Sequence, residues 1–155
     1  LIRGMPNVAA TVGQSMTALT AARTTEDQVD AVRDLMNAVG RTILIDEDYF
    51  PIFQALASCS PAWYFQIIDT FARAGLKYGL SKDSAVEIAA QAMAGAATLL
   101  LAEREAGTIP AQLIDRVTSP GGTTIAGLLA AEEGGLSNAL VGAVDASIHA
   151  DSHLG

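Results

Sequence analysis

Residues 85–102 read Ala-Val-Glu-Ile-Ala-Ala-Gln-Ala-Met-Ala-Gly-Ala-Ala-Thr-Leu-Leu-Leu-Ala, and this run decides the fold class. Ala85, Ile88, Ala89, Ala92, Ala96 and Leu99 recur three and four residues apart, the spacing that lines one face of an α-helix. The flanks of that face are apolar too, with Glu87 the only charge. A helix apolar all round is enclosed by others, and small alanines let the neighbours come close. A short chain seldom encloses such a helix unaided, so a subunit interface is expected here. The run is nearly long enough to span a bilayer, but Glu87, Gln91 and its bias to alanine over leucine speak against a membrane.

Outward from this run, residues 80–84 (Leu-Ser-Lys-Asp-Ser) cap the helix, which is expected to end near Gly107. Further helices are expected from Pro110 to Val117, from Thr123 to Glu133 and from Leu136 to Ala150, with Gly134-Gly135 between the last two. Upstream, a short helix over 49–58 is followed by Ser60-Pro61, which reads as a cap with proline at the first helical position, restarting the chain into a helix toward Tyr78. Thr25-Glu26-Asp27-Gln28 is a capping box, after which Val29, Val32, Leu35, Met36 and Val39 keep helical spacing up to Gly40. Arg41-Thr42-Ile43-Leu44-Ile45 is short and β-branched, a strand suited to pair with the N-terminal segment. Residues 1–19, punctuated by Pro6 and Gly13, read as extended chain or short strands. The expected fold class is mainly α, a multi-helix domain with a short extended or β segment at its N-terminus.

The 155 residues suit one ordinary domain. Half are hydrophobic and 17% charged, which excludes disorder, and a net charge of −8 leaves the chain unable to neutralise nucleic-acid phosphates. Cys59 is the single cysteine, so there is no intrachain disulfide and no Cys/His companion for structural zinc; a reducing, cytoplasmic location is expected. Leu1-Ile2-Arg3 reads as the middle of a strand, with neither an initiator Met nor the charged start of a signal peptide, so further chain is expected upstream.

The segment richest in chemistry is Val117-Thr118-Ser119-Pro120-Gly121-Gly122-Thr123-Thr124. Two glycines free the backbone to expose consecutive N–H groups, and hydroxyl residues stand at the start of a helix whose dipole favours an anion. A carboxylate or phosphate nest is one reading; a Gly-rich helix-to-helix turn with Thr123 as a plain N-cap is the other.

These residues, with Pro110-Ala111-Gln112-Leu113 before them and Glu132-Glu133-Gly134-Gly135 after, resemble the signature of the pyrroline-5-carboxylate reductases. Arg3-Gly4-Met5-Pro6-Asn7 and Val12-Gly13 are similar to the place where that family leaves its dinucleotide-binding domain, and residues 39–47 fit as well, so the likeness covers nearly the whole chain. It implies a dimerisation domain like the C-terminal domain of 6-phosphogluconate dehydrogenase. Residues 1–20 would connect from an absent dinucleotide-binding domain and 21–155 would bind substrate and dimerise. It implies NADPH or NADH, held mainly by that other domain, since no GxGxxG follows a strand here. It further implies reduction of 1-pyrroline-5-carboxylate to L-proline, with this half inactive alone, and a homodimer or a ring of dimers.

Matched residue by residue, the substrate carboxylate would lie on Ser119, in the turn of Gly121, and on the N–H groups of Gly122 and Thr123. Thr124 would be catalytic, hydrogen-bonding the ring nitrogen, and Asn7 would stand near the nicotinamide. As a plain residue reading, Asn7 is equally a turn former after proline. The family's Ser-Gly-Ser-Gly-Pro-Ala-Tyr run departs here to Ala57-Ser58-Cys59-Ser60-Pro61-Ala62-Trp63, which bears on substrate choice. A non-catalytic oligomerisation or small-carboxylate-binding module, and a related cyclic imine reductase, are the competing readings. His149 and His153 after Asp145 read as a polar tail and Cys59 as a small buried hydrophobe, and no metal site is expected.

Overall fold

The computed structural model describes residues 1–153, in which the chain divides into two units: Leu1–Trp63 with the stretch from Val141 on, and Tyr64–Leu140. The first is organised around β2 (Ser15–Ala21), which pairs on both edges. β1 (Ile2–Met5) runs antiparallel to it with Met5 opposite Ala18, and β3 (Gly40–Leu44) runs parallel with Leu19 opposite Leu44. A parallel neighbour needs a crossover, which α1 (Glu26–Asn37) supplies. α1 begins in the expected capping box: Thr25 Oγ1 accepts from the Gln28 N–H at 3.4 Å, and Gln28 Oε1 accepts from the Thr25 N–H at 3.2 Å. As the middle strand β2 is covered on both faces, and Thr17, Ala18 and Leu19 are all buried. Ala18 packs with Phe50, Phe53 and Ala57, ringed by Met5, Met16 and Ile45. β3 enters beside β2 through Gly40, where a Cβ would stand 2.0 Å from the Ser15 carbonyl oxygen.

The restart expected at Ser60-Pro61 is not there. A 3₁₀ turn at Glu47–Tyr49 leads into α2 (Phe50–Phe53), the helix widens into a π turn over Gln54–Cys59, and it narrows into α3 (Ser60–Lys77) with helical backbone angles throughout. Proline inside a helix crowds the carbonyl four residues back and offers it no N–H. The wider π turn just before Pro61 makes that accommodation, so the proline does not interrupt the helix.

In the second unit α3 ends in a Schellman turn: the Leu80 N–H donates to the Gly75 carbonyl and the Gly79 N–H to that of Leu76, both at 3.0 Å. Gly79 supplies the positive φ, +95°, that this turn requires. α4 (Lys82–Glu103) follows, its first turn closed by Ser81, whose Oγ accepts from the Ser84 N–H at 3.1 Å. α3 and α4 approach so closely that a Cβ on Gly75 would lie 2.8 Å from that of Ala85. α5 (Pro110–Val117) and α6 (Thr123–Glu133) complete this unit, and α7 (Leu136–Ser152) begins in it and ends in the first. Of the residues in the second unit only Ala72 and Ala85 are buried. Phe71, Leu80, Ile88, Ala92, Met93 and Ala96 line an almost wholly apolar groove along α3 and α4. By length and composition the Lys82–Ala106 stretch is long and apolar enough to cross a membrane.

Asp69 on α3 holds Arg73 at 2.9 Å and Lys82, at the start of α4, at 2.9 Å. The hydrogen bond from Lys82, with the charge of Arg73 beside it, keeps the Asp69 carboxyl below its ordinary value of 3.8. A depressed carboxylate stabilises the fold above its unfolded pKa and loses that contribution as pH falls through the folded one. Asp69→Asn should therefore unfold at a lower temperature than the parent at pH 7, and in acid, as pH falls below the ordinary carboxyl value of 3.8, the two melting curves should converge. A gap that is the same at both pH values would show that the ion pairs contribute nothing.

Candidate functional site

The Thr118–Gly122 loop is held from both sides. On α5, Arg116 Nη1 reaches both carboxylate oxygens of Glu103, at 2.9 and 2.7 Å, and Thr108 Oγ1 donates to Glu103 Oε2 at 3.2 Å. These bonds fasten the last turn of α5 to the end of α4. Thr118 Oγ1 then donates to the Ile114 carbonyl at 2.9 Å, closing the helix end. Ser119-Pro120-Gly121-Gly122 makes a β-turn, with the Gly122 N–H donating to the Ser119 carbonyl at 3.0 Å. Proline at its second position and Gly121 at its third, with φ +68°, are what a type II turn demands.

Gly122 is the N-cap of α6, and Thr123 is the first helical residue rather than the cap. The first bond inside α6 runs from the Ala126 N–H to the Gly122 carbonyl at 3.4 Å, and no side chain caps this end. The N–H groups of Thr123, Thr124 and Ile125 consequently have no acceptor among the described residues. No acidic residue lies in this first turn, so nothing offsets the positive end of the helix dipole. Ser119 Oγ lies beside the cap, 2.4 Å from where a Cβ on Gly122 would be. Thr123 and Thr124 are exposed. Ser119, Gly121, Gly122, Thr123 and Thr124 lie together in one turn and the helix start that follows it, a candidate anion nest whose open donors differ in one respect from those expected. The N–H of Gly122 is spent on the turn, and that of Ile125, invisible to a reading by side-chain type, joins the set. Three consecutive donors beside a hydroxyl suit a carboxylate or other small anion.

Asn7 lies in the first unit, half-buried, and both ends of its amide are engaged. Oδ1 accepts from the Met16 N–H at 3.3 Å, and Nδ2 donates to the Ala57 carbonyl at 2.9 Å. Its backbone N–H donates to Ser15 Oγ at 3.2 Å. Cys59 is free and half-buried. Glu47, in the acidic cluster Asp46-Glu47-Asp48, pairs with Arg3, whose guanidinium stacks 4.5 Å from the centre of the Phe50 ring. His149 and His153 pack ring to ring, 4.4 Å between centroids. Among the described residues no three His, Cys, Asp or Glu side chains gather as a metal site.

The model of the pyrroline-5-carboxylate reductase dimerisation family matches residues 47–154. The chain is 38% identical over 145 residues to a pyrroline-5-carboxylate reductase of Treponema pallidum, covering 93% of this chain and 54% of that protein. It superposes on the structure of a pyrroline-5-carboxylate reductase from Coxiella burnetii with TM-score 0.92 and 32% identity, covering 99% of this chain and 57% of that one. For the Plasmodium falciparum pyrroline carboxylate reductase with NADP bound, the TM-score is 0.86 and the identity 26%, over 99% of this chain and 62% of that one. The chain spans little more than half the length of the relatives it matches.

Gly122→Ala would place a methyl group 2.4 Å from Ser119 Oγ and 3.1 Å from the Ser119 carbonyl oxygen. We expect it to cost about 1 kcal/mol of stability and to turn the Ser119 hydroxyl away from the loop. Calorimetry and a crystal structure of the variant test this, and an unmoved Ser119 with unchanged melting would refute it.

Proposed function

The chain belongs to the pyrroline-5-carboxylate reductase family, and we propose that it is the half of such a reductase that grips the substrate and joins two subunits. The observation that carries this reading is the open first turn of α6, three donors beside Ser119 with no acid in that turn. In this proposal the carboxylate of 1-pyrroline-5-carboxylate lies against the N–H groups of Thr123 and its helical successors, with Ser119 Oγ donating from the side. Thr124 hydrogen-bonds the ring nitrogen.

Reduction of the cyclic imine to proline adds hydride to carbon and a proton to nitrogen. A reduced nicotinamide dinucleotide, NADPH or NADH, would supply the hydride. This chain does not itself fit that group. Its strand-to-helix crossover between β2 and α1 is Ala22-Arg23-Thr24-Thr25, with no glycine to let a diphosphate approach. The rest of the protein would hold it, with residues 1–20 as the connection and 21–155 as the substrate and dimerisation domain. Because β3 pairs with β2, the sheet part of that connection extends to Leu44. What this chain contributes is orientation and charge. Fixed donors meet the carboxylate without reorganising, and a hydroxyl beside the nitrogen stabilises it as it gains basicity. The single thiol, Cys59, suits a cytoplasmic enzyme.

A second copy of the chain, lying on the apolar groove of α3 and α4, accounts for a 22-residue helix in which only Ala85 is buried. Burial against that copy, rather than in lipid, is the reading we adopt for α4.

In the full-length enzyme Thr124→Ala should lower turnover at least tenfold, about 1.4 kcal/mol of barrier, and kinetics equal to the parent's would remove Thr124 from its role. Ala92→Leu overfills the groove at a cost of ~1–3 kcal/mol and should shift sedimentation from dimer toward monomer. A dimer of unchanged stability would place the interface elsewhere.

A further inference from the structure

The passage from the π turn to α3 converges on a residue that cannot donate. Within the π turn the bonds span five residues, as from the Ser60 N–H to the Ala55 carbonyl. In α3 they span four. Counting five on from Leu56 and four on from Ala57 both arrive at Pro61, which has no N–H. Two carbonyls are thereby left without a helical partner, and side chains meet both. Ser60, itself buried, donates from Oγ to the Leu56 carbonyl at 2.6 Å. Asn7, from the turn after β1, donates from Nδ2 to the Ala57 carbonyl at 2.9 Å.

We propose that Asn7 is a positioning residue: it stands in for the N–H that Pro61 lacks, and so holds the π-to-α junction and the setting of residues 58–63. Three observations converge on it. Its amide has one orientation that satisfies both neighbours, since Met16 offers a donor to Oδ1 and Ala57 an acceptor to Nδ2. Its backbone is tied to Ser15, whose Oγ lies 3.3 Å from that of Thr17, both buried in the central strand. Ala57, the residue it holds, is part of the same core as Ala18 and Phe53. An unpaired carbonyl in that position loses its partner without gaining water, so the junction should loosen when the donor is removed. Asn7 acts here through the backbone of another segment, a role separate from touching a cofactor.

The test uses the full-length protein that carries this chain, with hydrogen exchange followed by mass spectrometry on peptides covering 54–63. Asn7→Ala removes the side chain; Asn7→Asp keeps its shape and its acceptor for Met16 but removes the donor. Both should speed exchange in that peptide at least tenfold. Adding Pro61→Ala to Asn7→Ala returns an N–H that can reach the orphaned carbonyls, and should bring exchange back to within threefold of the parent. Should Asn7→Ala not fold, recovery of folding in the double variant supports the proposal just as well. Exchange unchanged in Asn7→Asp, or a double variant no better than Asn7→Ala, overturns it. The reductase reading is judged separately. Where the parent reduces 1-pyrroline-5-carboxylate, Asn7→Asp should lower kcat/KM about fivefold and Pro61→Ala should restore it in the Asn7→Ala background. A cofactor contact would instead raise KM for the nicotinamide and could not be rescued by a change at Pro61. A parent with no turnover defeats that reading, and the exchange result still decides the role of Asn7.

Discussion

An α-helix begins with N–H groups and ends with carbonyls that nothing inside the helix can satisfy, and the way this chain meets that constraint organises the molecule. α1 and α4 begin on Thr25 and Ser81, whose hydroxyls take the first free N–H groups. α3 ends on the Schellman turn at Gly79, and α5 on the Thr118 hydroxyl. At Pro61 the unmet groups lie in mid-helix, and Ser60 and Asn7 meet them from the side. α7 also begins after a glycine, Gly135, and α6 departs from this pattern most openly. Its cap is a glycine with no side chain to donate or accept, and its first donors face outward. A closed end serves the fold, whereas an open one, beside a hydroxyl and free of acids, is where an anion is stabilised.

The second requirement is burial. The first unit has a core of its own, in which a central strand covered on both faces packs on Phe50 and Phe53. The second has almost none, and α3 and α4 come closest where Gly75 faces Ala85. Phe65, Phe71 and Ile88 are all more than half exposed. Residues this small contribute little burial within one chain but allow close approach to another helix, so the composition of α4 is that of an interface. The match to a dimerisation family over residues 47–154 agrees with this reasoning from exposed area.

Much of the fold is legible in the sequence because its signals are local. A capping box needs only Thr25 and Gln28, a strand between Gly40 and an acidic cluster needs only five residues, and the bounds of α5 and α6 follow from proline and glycine. The misreading at Ser60-Pro61 arises because a serine and a proline look the same at a helix start as in the middle of a helix whose preceding turn is wide enough. What tells the two apart is Asn7, fifty residues away along the chain. The candidate site was legible as a stretch of residues, Ser119 to Thr124. Which of its N–H groups remain open was not, because that depends on the turn formed by Gly122.

By itself the sequence determined where most of the helices lie, that α4 is apolar on nearly all sides, and that the loop before α6 can offer donors to an anion. Those properties reside in the order of residues and in the short-range sterics of glycine, proline and β-branched side chains. Only the tertiary structure decided that β3 joins β2 in parallel, that Ser60-Pro61 is a junction rather than a beginning, and that Asn7 is bound to Ala57. Each of these joins groups distant in the chain, whose pairing follows from which buried polar atoms need a partner, and local pattern carries no record of that.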